Sequence, residues 1–226
     1  HASLAAFLMK KPVRVALTRE ESICMHPKRH PLTMEIEMGC DSNGRFTFVK
    51  SDIIGDTGAY ASVGMKVLER AAGHATGAYH VDAVEVRSRA VYTNNIPCGA
   101  MRGFGVNQIN FAVESCVDEL CEMGGFDRWQ IRYDNALTPG GMTSTGQVLQ
   151  SGIGIRKTLE AVKDVFQQSR HAGIACGIKN TGIGNGVPDT GKVKIVIESP
   201  ERILIHQGWT EMGQGVYTMA VQFFCE

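Results

Sequence analysis

Apolar and polar residues alternate through Thr33-Met34-Glu35-Ile36-Glu37-Met38, the period of a strand with one buried face, and the run ends at Asp41-Ser42-Asn43-Gly44. That tetrad is a turn signal, so Arg45 to Lys50 is expected to return as a hairpin partner. Val84, Val86, Ser88, Ala90 and Tyr92 alternate with Glu85, Arg87, Arg89 and Val91 as another half-buried strand, and Pro12 to Thr18 also reads as a strand. A second hairpin is expected from Lys192 to Glu198 and Ile203 to His206, across Ser199-Pro200-Glu201-Arg202. Elsewhere the period becomes helical. Ile109, Val113, Cys116 and Leu120 share one face and stop at Gly124-Gly125, while Ile155, Leu159, Val162 and Phe166 share another. Strands and helices mix without strict βαβ alternation, which predicts an α+β fold of mixed sheets with packed helices rather than a doubly wound sheet.

Both ends carry helical pattern. Ala2, Leu4, Ala5, Ala6, Phe7, Leu8 and Met9 read as a buried helix ended by Lys10-Lys11-Pro12, and Val216, Met219, Ala220, Phe223 and Phe224 continue a helical spacing to Glu226 without a cap. The chain is therefore expected to be an internal piece of a longer polypeptide. Leu137 to Gly154, rich in Gly, Thr, Ser and Pro, is the expected linker, and it divides residues 1–145 from residues 146–226.

Charge narrows the function classes. In 226 residues, 23 Lys and Arg balance 23 Asp and Glu, so no net field draws the chain to nucleic acid or anionic membrane, and no apolar run reaches the length of a membrane span. Seven cysteines form no C-x-x-C pair, which favours packed thiols of a cytoplasmic protein over a zinc or disulfide framework. His26, His30, His74, His80 and His206 lack metal-ligand spacing, and none is assigned to a metal.

Two glycine loops each open a helix: Arg102-Gly103-Phe104-Gly105 before Val106, and Met212-Gly213-Gln214-Gly215 before Val216. A G-x-G step lets backbone approach a ligand closely, and the N–H groups of the following helix favour an anion. Glycine is equally a common way to start a helix, so the residues alone leave both readings open. Neither loop has the G-K-[ST] ending of a nucleotide-binding P-loop. The run Gly182-Ile183-Gly184-Asn185-Gly186 precedes Val187-Pro188 and reads as a turn.

Ala100-Met101-Arg102-Gly103-Phe104-Gly105 with Gln108, and Gly208-Trp209-Thr210-Glu211-Met212-Gly213-Gln214-Gly215, resemble the two molybdopterin-contacting loops of the xanthine dehydrogenase and aldehyde oxidase family. Ala5-Ala6-Phe7, Pro12-Val13-Arg14, Arg29-His30-Pro31 and Leu68-Glu69-Arg70-Ala71 extend the resemblance across nearly the whole chain. Arg132 to Gly141 and Gly177 to Gly182 look closest to its selenium-dependent xanthine dehydrogenase branch. Two departures stand out. Met101 replaces a phenylalanine, and Gly184 to Thr190 lacks the phenylalanine-threonine pair of the eukaryotic purine enzymes.

The resemblance implies parts of two molybdopterin-binding domains: the C-terminal part of the first in 1–145, and a linker with the N-terminal part of the second in 146–226. It implies oxidation of hypoxanthine or xanthine by hydroxide attack from a molybdenum centre with hydride transfer. Arg102, Gly103, Phe104 and Gly105 would line the metal face, and Met212, Gly213, Gln214 and Gly215 would cradle the pterin and its phosphate. Phe104 would face the substrate; from the residues alone it either covers a ligand or plugs the core. Arg70 would stabilise negative charge on a purine, although on bare sequence the preferred reading is a solvated surface arginine.

The resemblance places the catalytic base beyond Glu226, so the piece alone is expected to be inactive. Implied partners are 2Fe-2S and FAD domains or subunits in an oligomeric enzyme, with the cytosine dinucleotide form of molybdopterin and labile selenium as admitted variants. An aldehyde or other N-heterocycle oxidoreductase of the same family is the alternative, and a non-catalytic anion-binding module is the competing class.

Overall fold

A computed structural model describes residues 1–180, 188 and 190–226. The turn expected at Gly182 to Gly186, and most of the segment Gly184 to Thr190, lie outside the described residues. The chain forms two compact units, His1–Lys179 and Asn180–Glu226, each described by itself below.

The first unit has the order α1 (Ala2–Met9), α2 (Arg19–Met25), β1 (Leu32–Cys40), β2 (Phe46–Asp56), α3 (Gly64–Ala72), β3 (Ala83–Val91), α4 (Val106–Gly124), α5 (Arg128–Asn135) and α6 (Ile155–Gln168). β1 and β2 form the expected hairpin with Leu32 opposite Gly55, and the Asp41 carboxylate accepts from the Asn43 and Arg45 backbone N–H groups to shape its turn. β2 then pairs parallel with β3, Phe48 opposite Ala83, and α3 makes the crossover between them. The result is α+β with one mixed sheet of order β1-β2-β3.

The core lies between the sheet and helices α3 and α4. β2 turns Val49, Ser51 and Ile53 inward at period two, and α4 meets them with Ile109, Val113, Val117 and Cys121, one per turn. Cys116 and Leu120, expected on the buried face, flank that stripe half-buried. A polar bolt crosses the core. Arg132 Nε donates to Glu114 Oε2 at 2.8 Å, its NH2 group donates to Asp118 Oδ1 at 2.8 Å, and the Tyr79 hydroxyl donates to Glu114 Oε1. Asn135 ties α5 to the hairpin, donating to the Gly44 carbonyl and accepting from the Phe46 N–H.

Two local expectations are corrected. Pro12 to Thr18 is not a strand, because Thr18 and Glu21 close a capping box that starts α2: the Glu21 N–H donates to Thr18 Oγ1 at 3.2 Å and the Thr18 N–H to Glu21 Oε2 at 2.8 Å. The helix at Ala2–Met9 forms but is not buried; Phe7 is 78% exposed and Leu8 70%. The second unit is the expected hairpin β4 (Val193–Ser199) and β5 (Arg202–Gln207), followed by α7 (Val216–Cys225). Among the described residues, no helix is long and apolar enough to cross a membrane.

Candidate cofactor and substrate site

The loop before α4 is built from three successive left-handed residues, with φ of 93° at Gly103, 52° at Phe104 and 96° at Gly105. The Phe104 N–H donates to the Met101 carbonyl at 2.8 Å and the Val106 N–H to the Gly103 carbonyl at 3.1 Å, so each step of the turn is closed. Holding a phenylalanine at positive φ costs on the order of 1 kcal/mol or more, which the surrounding packing must sustain. Phe104 is half-buried against the core, so the ring has apolar support without being a fully enclosed plug.

Gly105 caps α4 and lies directly against α3. A β-carbon there would meet the Val67 carbonyl oxygen at 2.3 Å and the Ala71 nitrogen at 3.2 Å. The last turn of α3 carries Arg70, half-buried, so this approach of two backbones fixes the arginine beside the glycine loop. From the other side Arg29 holds the loop, its NH1 group donating to the Arg102 carbonyl at 2.7 Å and to Asn107 Oδ1 at 3.2 Å. The Arg102 guanidinium is exposed and has no hydrogen-bond or ion-pair partner among the described residues. Sequence reasoning did not foresee Arg29 as a positioning residue; only its place in the Arg29-His30-Pro31 landmark marked it.

Gln108, on the first turn of α4, donates from Nε2 to the His30 carbonyl at 3.1 Å. That carbonyl can only accept, so the amide orientation is set, and the buried Gln108 Oε1 is left with no partner among the described residues. His30 is 2% exposed, and burial holds its imidazole below the usual pKa against the opposing pull of Asp56 and the Gly99 backbone. Cys98 is buried, with its thiol pushed up by burial, as a packed thiol should be. Among the described residues no group of three or more His, Cys, Asp and Glu could hold a metal ion.

The second glycine loop belongs to the other unit and is organised by a residue that the sequence reading passed over. The Glu211 carboxylate accepts from the N–H groups of Gly213 at 2.6 Å, Gly215 at 3.1 Å and Tyr217 at 3.3 Å. These backbone bonds, Gly215 first, hold its pKa below the usual carboxylate range. The N-terminus of α7 thus already carries an anion from its own chain. Gln214 folds back on the loop, accepting from the Met212 N–H at 2.6 Å and donating to the Thr210 carbonyl at 2.7 Å. Gly213 and Gly215 have φ of 96° and 82°, with open space where a β-carbon would stand.

The sequence-predicted residues therefore fall in two groups. Arg70, Arg102, Gly103, Phe104 and Gly105 come together in the first unit, and Met212, Gly213, Gln214 and Gly215 form a separate loop in the second.

Comparison with known proteins also separates the two loops, but at an earlier point in the chain than the boundary between the compact units. The molybdopterin cofactor-binding domain matches residues 1–136, and a second model of that description matches residues 149–226. The chain is 42% identical to the nicotinate dehydrogenase large molybdopterin subunit of Eubacterium barkeri, over 73% of its own length and 39% of that protein. It is 30% identical to the xanthine dehydrogenase molybdenum-binding subunit of Escherichia coli O157:H7, over 99% of its length and 32% of that subunit. Among solved structures it is similar to quinoline 2-oxidoreductase from Pseudomonas putida 86, with a TM-score of 0.63 and 27% identity over 73% of this chain and 22% of that one. It thus spans 32% to 39% of the length of the two curated relatives. The chain belongs to the molybdopterin cofactor-binding domain family.

Proposed function

We propose that this chain is a molybdopterin-binding part of a molybdenum hydroxylase that oxidises a purine such as hypoxanthine or xanthine. The observation that carries the reading is the close approach of Gly105 to the α3 turn bearing Arg70, which joins the glycine loop and a cation in one packed assembly. The residues present fit a pterin ligand. Gly103 and Gly105 leave the backbone on either side of Phe104 without side chains, and the orphaned Gln108 Oε1 would accept from a pterin N–H.

When bound, the cofactor supplies the oxygen nucleophile and takes the electron pair. The chain's own residues bind and polarise. Arg102, Gly103, Phe104 and Gly105 would line the metal face, and Phe104 would face the substrate ring. Arg70 stabilises the negative charge that attack pushes onto the heterocycle, an interaction stronger in the transition state than in the ground state. Met212, Gly213, Gln214 and Gly215 would cradle the pterin and its phosphate, on a loop whose shape Glu211 sets in advance. The general base comes from another segment, and iron-sulfur and FAD domains or subunits take the electrons. The division at 145/146 is kept as that of two cofactor-binding domains, supported by family matches that end at 136 and resume at 149.

A second reading, oxidation of a pyridine carboxylate, is favoured by the nicotinate in the name of the 42% identical relative. The purified enzyme that contains this chain should hold molybdenum and pterin in stoichiometric amount and oxidise an N-heterocycle in a screen of purines, pyridine carboxylates and aldehydes. Metal-free, pterin-free protein that binds only simple anions would overturn the reading in favour of a non-catalytic module.

A further inference from the structure

Residues 137–148 lie between the two family matches, yet they are folded onto the first unit. Leu137 is buried, and its N–H donates to the Ala78 carbonyl at 2.9 Å. Met142 and Val148 then face each other across an antiparallel bridge. The turn between them is closed by the Thr143 N–H donating to the Gln147 carbonyl at 3.0 Å and the Gly146 N–H to the Thr143 carbonyl at 2.9 Å. A cavity of about 250 Å³ lies between this turn and Thr76, Val81 and Val84, so packing beneath the turn is incomplete. The turn is tied at its tip. Ser144, half-buried, donates from Oγ to the Gly73 carbonyl at 2.8 Å, and a β-carbon on Gly73 would stand 3.4 Å from Thr145 Cγ2.

Gly73 directly follows α3, whose last turn carries Arg70. The carbonyls at the end of a helix lack intrahelical donors, and many helices close that end with a glycine in the left-handed conformation. Gly73 has φ of −67° and ψ of −7°, so α3 has no such cap. Side chains bond this end of the helix instead. Ser88 Oγ donates to the Leu68 carbonyl at 3.2 Å, His74 Nδ1 to the Arg70 carbonyl at 2.9 Å, and Ser144 Oγ to the Gly73 carbonyl. Ser88 belongs to β3 and His74 to the continuation of the helix itself. Ser144 comes from the turn, 71 residues along the chain, and so ties the stretch between the family matches to the end of α3 that bears Arg70.

We propose that Ser144 is a positioning residue for oxidation of the heterocycle, holding the end of α3 so that Arg70 meets the charge that develops on the substrate ring. The proposal rests on the reading that Arg70 faces substrate, and it deepens that reading by naming what sets the arginine in place. Ser144 acts through the Gly73 backbone and touches no substrate. Misplacing a positioned group by about 1 Å costs up to on the order of 100-fold in rate, so a single hydrogen bond remote from the ring has a kinetic signature. The loss belongs in kcat more than in KM, because the charge that Arg70 answers develops only in the transition state.

The test uses the intact molybdenum-loaded enzyme, with kinetics on hypoxanthine, nicotinate and benzaldehyde, and with amide hydrogen exchange at Gly73, His74 and Ala75, which does not depend on turnover. Ser144→Ala should lower kcat on the heterocycle that the enzyme oxidises by about 3- to 10-fold, the span of one lost hydrogen bond, and leave its KM and benzaldehyde turnover within about twofold. Exchange of the three amides should quicken at least about threefold as the helix end frays. Ser144→Thr, which keeps the hydroxyl, should restore rate and protection to within about twofold of wild type. In an Arg70→Met background Ser144→Ala should bring no further loss of heterocycle turnover, because the arginine it positions is gone. Equal molybdenum content in all variants establishes that they are folded and loaded. Parallel loss on heterocycle and benzaldehyde, failure of Ser144→Thr to rescue, or an undiminished further loss in the Arg70→Met background would overturn this proposal alone. An Arg70→Met enzyme with an unchanged ratio of heterocycle to aldehyde turnover would overturn the reading beneath it, and the proposal with it.

Discussion

Arg132 and Glu114 form a buried ion pair, with Arg132 Nε 2.8 Å from Glu114 Oε2 and the arginine side chain fully enclosed. Glu114 also accepts from the buried Tyr79 hydroxyl, whose pKa is raised first by burial and then by this carboxylate. The pair joins α4 to α5 and sits where Cys176 enters the core, so it holds the helix that presents the Gly103–Gly105 loop.

Removing one partner of such a pair leaves a buried charge short of compensation, which costs about 3–5 kcal/mol. Glu114→Gln should therefore lower unfolding stability by roughly that amount, whereas Asp118→Asn, at a carboxylate 45% exposed, should cost under about 1 kcal/mol. Urea unfolding followed through Trp129, in a Trp209→Phe background, separates the two. Equal losses would mean that the bolt is spread over both carboxylates.

Gly105 tests the loop itself. An alanine there would need a positive φ, costing about 1–2 kcal/mol, and would drive its β-carbon into the Val67 carbonyl. Gly105→Ala should lower both stability and molybdenum content of the enzyme, while Gly146→Ala, also at positive φ but with open space around it, should lower stability only. Metal analysis with thermal unfolding on each variant reads the difference, and full molybdenum loading in Gly105→Ala would contradict the site.

His30 and His74 give a pH dependence. Burial is the leading cause that depresses both below their unfolded value of about 6.5, so the unfolded chain binds these protons more readily than the folded one. Stability is then fully present above about pH 6.5 and falls as pH drops below it toward the lower folded values. The urea midpoint should decline between pH 7 and pH 5, and His30→Gln should flatten that decline. An unchanged slope in His30→Gln would place the protons elsewhere.

Much of this was written in the sequence where a single period decides. The β1–β2 hairpin, α4, α6 and the second unit's hairpin each follow one pattern closed by a turn or a glycine. The parallel pairing of β2 with β3 was not legible, because residues 35 positions apart meet only once α3 has folded between them. The capping box Thr18-x-x-Glu21 was a local signal that could have replaced the strand read at Pro12 to Thr18. The two glycine loops are legible as glycine steps that each open a helix, while the ligand proposed for them and the role proposed for Arg70 rest on the landmarks of the resemblance. The residues that shape the loops, Arg29, Gln108 and Glu211, act through backbone contacts that no spacing announces.

The central claim is that Arg70 serves a purine or related N-heterocycle through charge, beside a molybdenum cofactor. Its most direct test is steady-state kinetics of the intact enzyme and its Arg70→Met variant on hypoxanthine or xanthine and on an aldehyde, normalised to molybdenum. Loss of an oxyanion-type contact should reduce purine kcat/KM by about 30- to 1000-fold, or roughly 2–4 kcal/mol, and should spare the aldehyde, raising the aldehyde-to-purine ratio. Parallel loss of both activities, or an enzyme indifferent to every N-heterocycle, would return Arg70 to a structural role and contradict the account.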